Sequence, residues 1–253
     1  MNESYPKRGI FKAAALKNAS SDQKLTIDLS PDRVRCIPPD LMKALSAQGL
    51  EEVLTFFNRA VKEHVPNVLR VLGTVTGADF KAPHQSQNIN FRICDYIPDT
   101  ADPKSRNGCG AHTDYGTFSI IFQDRQSGLE IEDANAPDTW IPVPGDATVL
   151  LCGWCAVILS GNQIKAARHR VRRTAGVRRL SAVLFVAPDL DQPLKPITGT
   201  VEGKPFSQDV RHGIVTVRSF KETMGKKWRW REGNGDPNDL EPNNLGQGGG
   251  RCY

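Results

Sequence analysis

Long apolar runs are missing from this 253-residue chain. The longest nearly uncharged one, Ala147–Ser160, covers about 14 residues, short of the roughly 20 that a membrane-spanning helix needs. No apolar stretch follows the charged start MNESYPKRG, so no secretory signal is visible. Six cysteines are too few for a disulfide scaffold and read as reduced thiols. A large excess of one charge is also lacking. The 33 basic and 28 acidic residues leave a formal +5, which does not by itself imply nucleic acid. With 39% hydrophobic and 24% charged residues the composition is globular, which excludes a wholly disordered chain or a fibre. The expectation is a soluble, cytoplasmic protein, monomeric, with no membrane partner and a core large enough for one sizeable domain.

The period of the sequence changes along the chain. Residues 1–35 are polar and mixed and read as an irregular N-terminal segment, with a short helix able to start at Asp40. From Leu50, apolar residues recur at three- and four-residue steps through Val53, Leu54, Phe57, Val61, Val65, Val68 and Leu72. That is an amphipathic helix, which Pro66 should kink or split and Gly73 or Gly77 should end. After Phe80 the pattern shortens. Candidate strands are 87–94, 110–114, 117–122, 129–132, 139–142, 148–151, 157–159, 167–172 and 179–187, separated by turn residues. Many short strands after a helix indicate a sandwich, jelly roll or barrel. A strand and then a short helix fit 213–224. The Gly-, Asn- and Pro-rich stretch 233–253 reads as a disordered tail.

The sharpest local signal is Ala111-His112-Thr113-Asp114. On a strand, residues two apart share a face, so His112 and Asp114 aim an imidazole and a carboxylate into one space. In Ala167-Arg168-His169-Arg170-Val171-Arg172 the arginines alternate with Ala167, His169 and Val171, which puts His169 on the inward face. Two histidines and one carboxylate that leave coordination positions open form the facial triad of non-haem Fe(II) oxygenases, whereas a structural zinc wants four protein ligands. Ten residues on, Arg179 and Ser181 share a face of an otherwise apolar strand. A buried guanidinium needs an anion, and a ligand carboxylate fits its planar fork.

In order and spacing, HTD (112–114), 54 intervening residues, His169 and RLS (179–181) resemble the Fe(II)/2-oxoglutarate-dependent dioxygenases of the isopenicillin N synthase-like family. The text between also resembles it: GTFSIIFQD, GLEIED, WIPVPGDATVLL and LSGNQIKAARHRV. The likeness is close from Asn90 to Pro196 and weaker outside. It implies a mainly β fold: a double-stranded β-helix (jelly roll) core with flanking helices, including a long helix N-terminal to the barrel. It implies Fe(II) held by His112, Asp114 and His169, and 2-oxoglutarate held by Arg179 and Ser181. Tyr96, near the end of RICDYIP, is a candidate third contact to that co-substrate. O2 would be the oxidant, and ascorbate the reductant in vitro. A carboxylate at 114 favours hydroxylation or desaturation over halogenation, with release of succinate and CO2 and a small-molecule metabolite as substrate. Phe118, Gln123 and Trp154 are candidate substrate-pocket residues. Members of this group usually carry more chain before the part resembling Tyr5–Phe11, so 1–35 reads as the remnant of a longer region and 36–232 as the catalytic domain.

Competing readings exist for each signal. His112, Asp114 and His169 would otherwise be a core hydrogen-bonded pair plus an unrelated histidine, Arg179 a structural ion pair, and Tyr96 a barrel-rim aromatic. Cys152-Gly153-Trp154-Cys155 suggests thiol redox chemistry, but such a motif normally opens a helix, and this one lies in a β-like stretch, so buried thiols are expected. The six arginines of 168–179 read as a solvated strand face rather than a nucleic-acid patch. His64, His84 and His212 read as surface or structural. Two other functions remain open: an Fe(II) oxidase of the isopenicillin N synthase type that uses no 2-oxoglutarate, and an inactive truncated member acting only as a binding protein.

Overall fold

A computed structural model describes residues 11–13, 22–85, 88–98, 106–197 and 208–231. In chain order its strands are β1 (Phe11–Ala13), β2 (Leu25–Asp28), β3 (Ile89–Tyr96), β4 (Asn107–His112), β5 (Phe118–Gln123), β6 (Leu129–Glu132), β7 (Trp140–Pro142), β8 (Val149–Cys152), β9 (His169–Arg172) and β10 (Arg179–Val186). Its helices are α1 (Pro31–Arg35), α2 (Pro39–Ser46), α3 (Leu50–Thr76), α4 (Trp154–Leu159), α5 (Gln208–Arg211) and α6 (Val217–Arg231). Among the described residues the strands form a six-stranded sheet, β1-β2-β3-β10-β5-β8, and a four-stranded sheet, β4-β9-β6-β7, antiparallel throughout. The two sheets make the jelly roll.

Strand alternation divides the apolar residues into two layers. One face of the large sheet carries Cys94, Ile121, Leu151 and Val183, which pack with Cys109, Leu129 and Val171 of the small sheet to fill the barrel. The other face carries Phe91, Phe118, Ile120, Leu184 and Val186, which meet the helices. There α3 lays Phe57 on Phe91 at 5.1 Å between ring centroids, and Phe56 edge-on to Phe122 at 5.0 Å. These aromatic pairs fix the long helix across the outside of the barrel.

Several expectations change. Pro66 does not split α3, which runs unbroken to a left-handed Gly77. Pro66 itself is exposed, so the carbonyl that it strips of a hydrogen bond can face water, while Val65, Leu69 and Leu72 hold the helix on the core. Residues 157–159, read as a strand, lie inside α4. The apolar run has no period to separate helix from strand, and Gly153, in extended conformation, starts the helix by accepting from Ala156 N–H and Val157 N–H. Cys152 and Cys155 therefore straddle a strand-to-helix junction. They are nonetheless buried or half-buried thiols, and burial pushes both up in pKa. Residues 1–35 are not wholly irregular, because they supply β1, β2 and α1. After Gly213 the expected helix is present as the longer α6, while the strand expected before it is reduced to one bridge, Thr216 with Pro193. The tail expected at 233–253 lies outside the described residues. No described helix is long and apolar enough to cross a membrane.

Candidate active site

His112 ends β4 and is the register partner of His169 at the start of β9. Their ring centroids are 4.3 Å apart. Asp114 is not on the strand, as the two-residue spacing suggested, but in the turn beyond it. That turn is held by the start of α4. Trp154 N–H donates to Asp114 O at 2.9 Å, and Trp154 Nε1–H donates to Thr113 Oγ1 at 2.7 Å. One ligand atom from each of His112, Asp114 and His169 lies within 4.8 Å of the others.

Hydrogen bonds orient all three groups. The Nδ1 of His112 lies 2.9 Å from Gly110 O, and that of His169 lies 3.0 Å from Ala167 O. A carbonyl only accepts, so Nδ1 carries the proton in each ring and Nε2 carries the lone pair. Ser119 Oγ–H donates to Asp114 Oδ2. Asp114 Oδ1 is buried with no hydrogen-bond partner, 3.6 Å from His112 Nε2. Burial pushes the Asp114 carboxyl up, but His169, His112 and Ser119 outweigh it and hold it below the usual range. Burial, aided by His112, lowers His169, which favours the neutral ring that a metal requires. A bare carboxylate oxygen facing two imidazole lone pairs is a donor set made for a divalent cation with N/O preference, and Fe(II) fits it.

Strand β10 lines up the second group. Arg179, Ser181, Val183 and Phe185 share the barrel face with Tyr96, Cys94, Arg92 and Asn90 of β3, their register partners. Arg179 is 4% exposed. It donates from Nη1 to Ser181 Oγ at 3.2 Å and from Nη2 to Gln123 Oε1 at 2.9 Å. Its guanidinium carbon lies 5.1 Å from the centroid of the buried Tyr96 ring. No acidic side chain appears among these Arg179 contacts.

Of the expected substrate-pocket residues, Gln123 lies on the barrel face, and Phe118 and Trp154 lie in the helix-facing layer. Phe118 is fully buried in the helix-facing layer, because Ser119 takes the barrel face at that point of β5. Trp154 supports the Asp114 turn from the same outer layer. Gln123 meets Arg179, with its own Nε2 fixed by Pro144 O and Ala147 O at 3.0 and 2.9 Å. Sequence reasoning missed Ser119, which the register of β5 on β10 places opposite Phe185 on the barrel face. It also missed Lys24, whose Nζ donates to Asp22 Oδ2 at 3.2 Å and to Cys109 Sγ at 2.9 Å. Burial lowers this lysine, but Cys109 and Asp22 more than reverse it, so it stays charged. The contact spans 85 residues and had no local signal.

The fold and this donor set fit a mononuclear non-haem iron centre. Residues 83–188 match the family model of the 2OG-Fe(II) oxygenase superfamily. Scopoletin 8-hydroxylase of Arabidopsis thaliana is 30% identical over 175 residues, 68% of this chain and 47% of that protein. The 2-oxoglutarate-dependent dioxygenase tropC of Talaromyces stipitatus is 30% identical over 168 residues, 62% of this chain and 51% of that protein. In fold the chain resembles the dioxygenase for auxin oxidation 1 of Arabidopsis thaliana, solved with 2-oxoglutarate, with a TM-score of 0.60 at 21% identity over 77% of this chain and 73% of that one. The chain spans about half the length of the curated relatives it matches. Over residues 83–188 the chain is similar to the 2OG-Fe(II) oxygenase superfamily.

Proposed function

We propose that this protein is an Fe(II)- and 2-oxoglutarate-dependent oxygenase that hydroxylates or desaturates a small-molecule metabolite and releases succinate and CO2. One observation carries the reading: Asp114 Oδ1 is buried without a hydrogen-bond partner between two oriented histidines. Bound iron supplies the oxygen activation. The chain supplies the rest. His112 and His169 present Nε2 because backbone carbonyls fix Nδ1. Ser119 aims the carboxylate. Arg179 and Ser181 take the distal carboxylate of 2-oxoglutarate, with Tyr96 packed against the guanidinium. The apolar barrel lining keeps water from the reacting centre.

The same proposal takes residues 36–232 as the catalytic domain of a cytoplasmic monomer that needs neither nucleic acid nor membrane. The outward arginines support that. Arg168 pairs with Glu132 at 2.6 Å, Arg170 with Glu130 at 2.5 Å, and both stack on Trp140. Such a face is already neutralised.

The test is succinate release by the full chain with Fe(II), ascorbate, 2-oxoglutarate and a metabolite panel. Stoichiometric succinate that disappears in Asp114→Ala supports the proposal. Substrate oxidation without succinate identifies an oxidase of the isopenicillin N synthase type. No turnover and no metal uptake leaves a binding protein.

A further inference from the structure

Besides Arg179, Arg173 is the arginine of the 168–179 run that turns inward. It is 7% exposed, and its Nη2 donates to Ile97 O at 2.9 Å and Pro98 O at 3.0 Å. Its Nε is buried with no hydrogen-bond partner, and so is Nε of Arg179. Both side chains line one cavity of about 100 Å³, together with Tyr96, Ser127 and Arg172. None of the residues lining it is acidic. Two glycines let the chain pack closely against the residues that line it. A Cβ at Gly108 would lie 2.9 Å from Tyr96 Cδ1 and 3.2 Å from Arg173 Cγ. One at Gly128 would lie 2.5 Å from Arg172 O and 3.6 Å from Arg179 Cδ. Two buried cations, each with one N–H left without an acceptor, line a cavity with no carboxylate and lack an anion.

We propose that this cavity is an oxyanion site in which Arg173 and Arg179 share one carboxylate-sized anion. The proposal rests on the reading of Arg179 as the residue that grips a diacid, and extends the grip to a second guanidinium. The anion is either the distal carboxylate of the 2-oxo diacid or a free oxyanion such as phosphate, which offers the same acceptor chemistry.

Isothermal titration of the full chain, with and without Mn(II), tests it with 2-oxoglutarate, glutarate and inorganic phosphate. Arg173→Gln is expected to weaken the bound anion at least about tenfold, the loss of one charge-assisted hydrogen bond, and Arg173→Lys less. Diacid binding with no phosphate binding assigns the site to the co-substrate. Phosphate binding that depends on Arg173 assigns it to a free anion. A folded Arg173→Gln protein that binds diacid and phosphate as the wild type does overturns the inference, and leaves the co-substrate reading standing if Arg179→Gln still weakens the diacid. Phosphate binding that depends on Arg173, with no diacid binding, overturns the co-substrate reading alone. If Arg173→Gln does not fold, Ser127→Met fills the cavity without disturbing the bonds to Ile97 and Pro98. It should weaken the anion equally, and unchanged binding overturns the inference.

Discussion

His112 and His169 face each other as register partners across β4 and β9, so the backbone ladder itself sets the separation of the two imidazoles. Asp114 must then be delivered by the turn. Removing any one of the three leaves two donors, so Asp114→Ala or His169→Ala should lower Fe(II) affinity by more than about 100-fold. In the wild type, metal at 100 times its dissociation constant should raise stability by about 2.7 kcal/mol. Metal content after gel filtration and the metal-dependent shift in melting midpoint are the readouts. A shift that persists in Asp114→Ala would remove that residue from the site.

Ser119 donates to Asp114 Oδ2 and leaves Oδ1 bare. Ser119→Ala frees the carboxylate to rotate. Metal affinity should fall about 10- to 100-fold while the fold is kept. Equal affinity in the two proteins would show that burial alone aims Asp114.

Gly153 is where the Asp114 turn meets α4. A Cβ there would lie 2.5 Å from Gly116 O and 2.7 Å from Asp114 O, both backbone atoms that cannot swing aside. Gly153→Ala should cost about 1–3 kcal/mol in urea unfolding and weaken metal binding along with it. Lost stability with full metal affinity would separate the turn from the site.

The candidate metal ligands were legible because His112 and Asp114 share one short word and alternation turns His169 inward on its strand. The barrel strands were legible too, since turns of Gly, Asn and Pro bound each run. The route to Asp114 was not. The strand ends at His112, and what brings the carboxylate in is a hydrogen bond from Trp154, 40 residues away. Helix α4 was hidden because Trp154–Leu159 is apolar on every side and buried throughout, so it has no period. Phe118 was misplaced for a related reason, whereas Gln123 does turn into the barrel. Which face of β5 turns inward is decided by its partners β8 and β10, not by its own sequence FSIIFQ.

Gln123 and Ser181 together satisfy the two Nη groups of Arg179. Arg179→Lys loses the planar fork, so the Michaelis constant for 2-oxoglutarate should rise at least about tenfold with little change in kcat. Gln123→Leu strands Nη2 in the barrel, which should cost about 1–3 kcal/mol of stability and raise the same constant less. An unchanged constant in Arg179→Lys would refute the carboxylate role.

His84 gives the fold a dependence on pH away from the metal ligands. Its Nδ1 lies 2.6 Å from Phe80 O and its Nε2 2.7 Å from Thr117 Oγ1. The neutral ring suits both, donating to the carbonyl and accepting from the hydroxyl. Burial lowers it to about 4, against weaker opposing effects of Phe80 O and Asp189. The unfolded chain takes up this proton near pH 6.5, so between the two values the unfolded state binds more protons. The contribution is whole above about pH 6.5, shrinks as pH falls, and is lost by pH 4, a span of about 3 kcal/mol. Urea unfolding at pH 7.5 and pH 5 should differ by about 2 kcal/mol more in the wild type than in His84→Gln. Equal pH slopes in the two proteins would mean that the imidazole is protonated in the folded state, with Thr117 turned to accept from it.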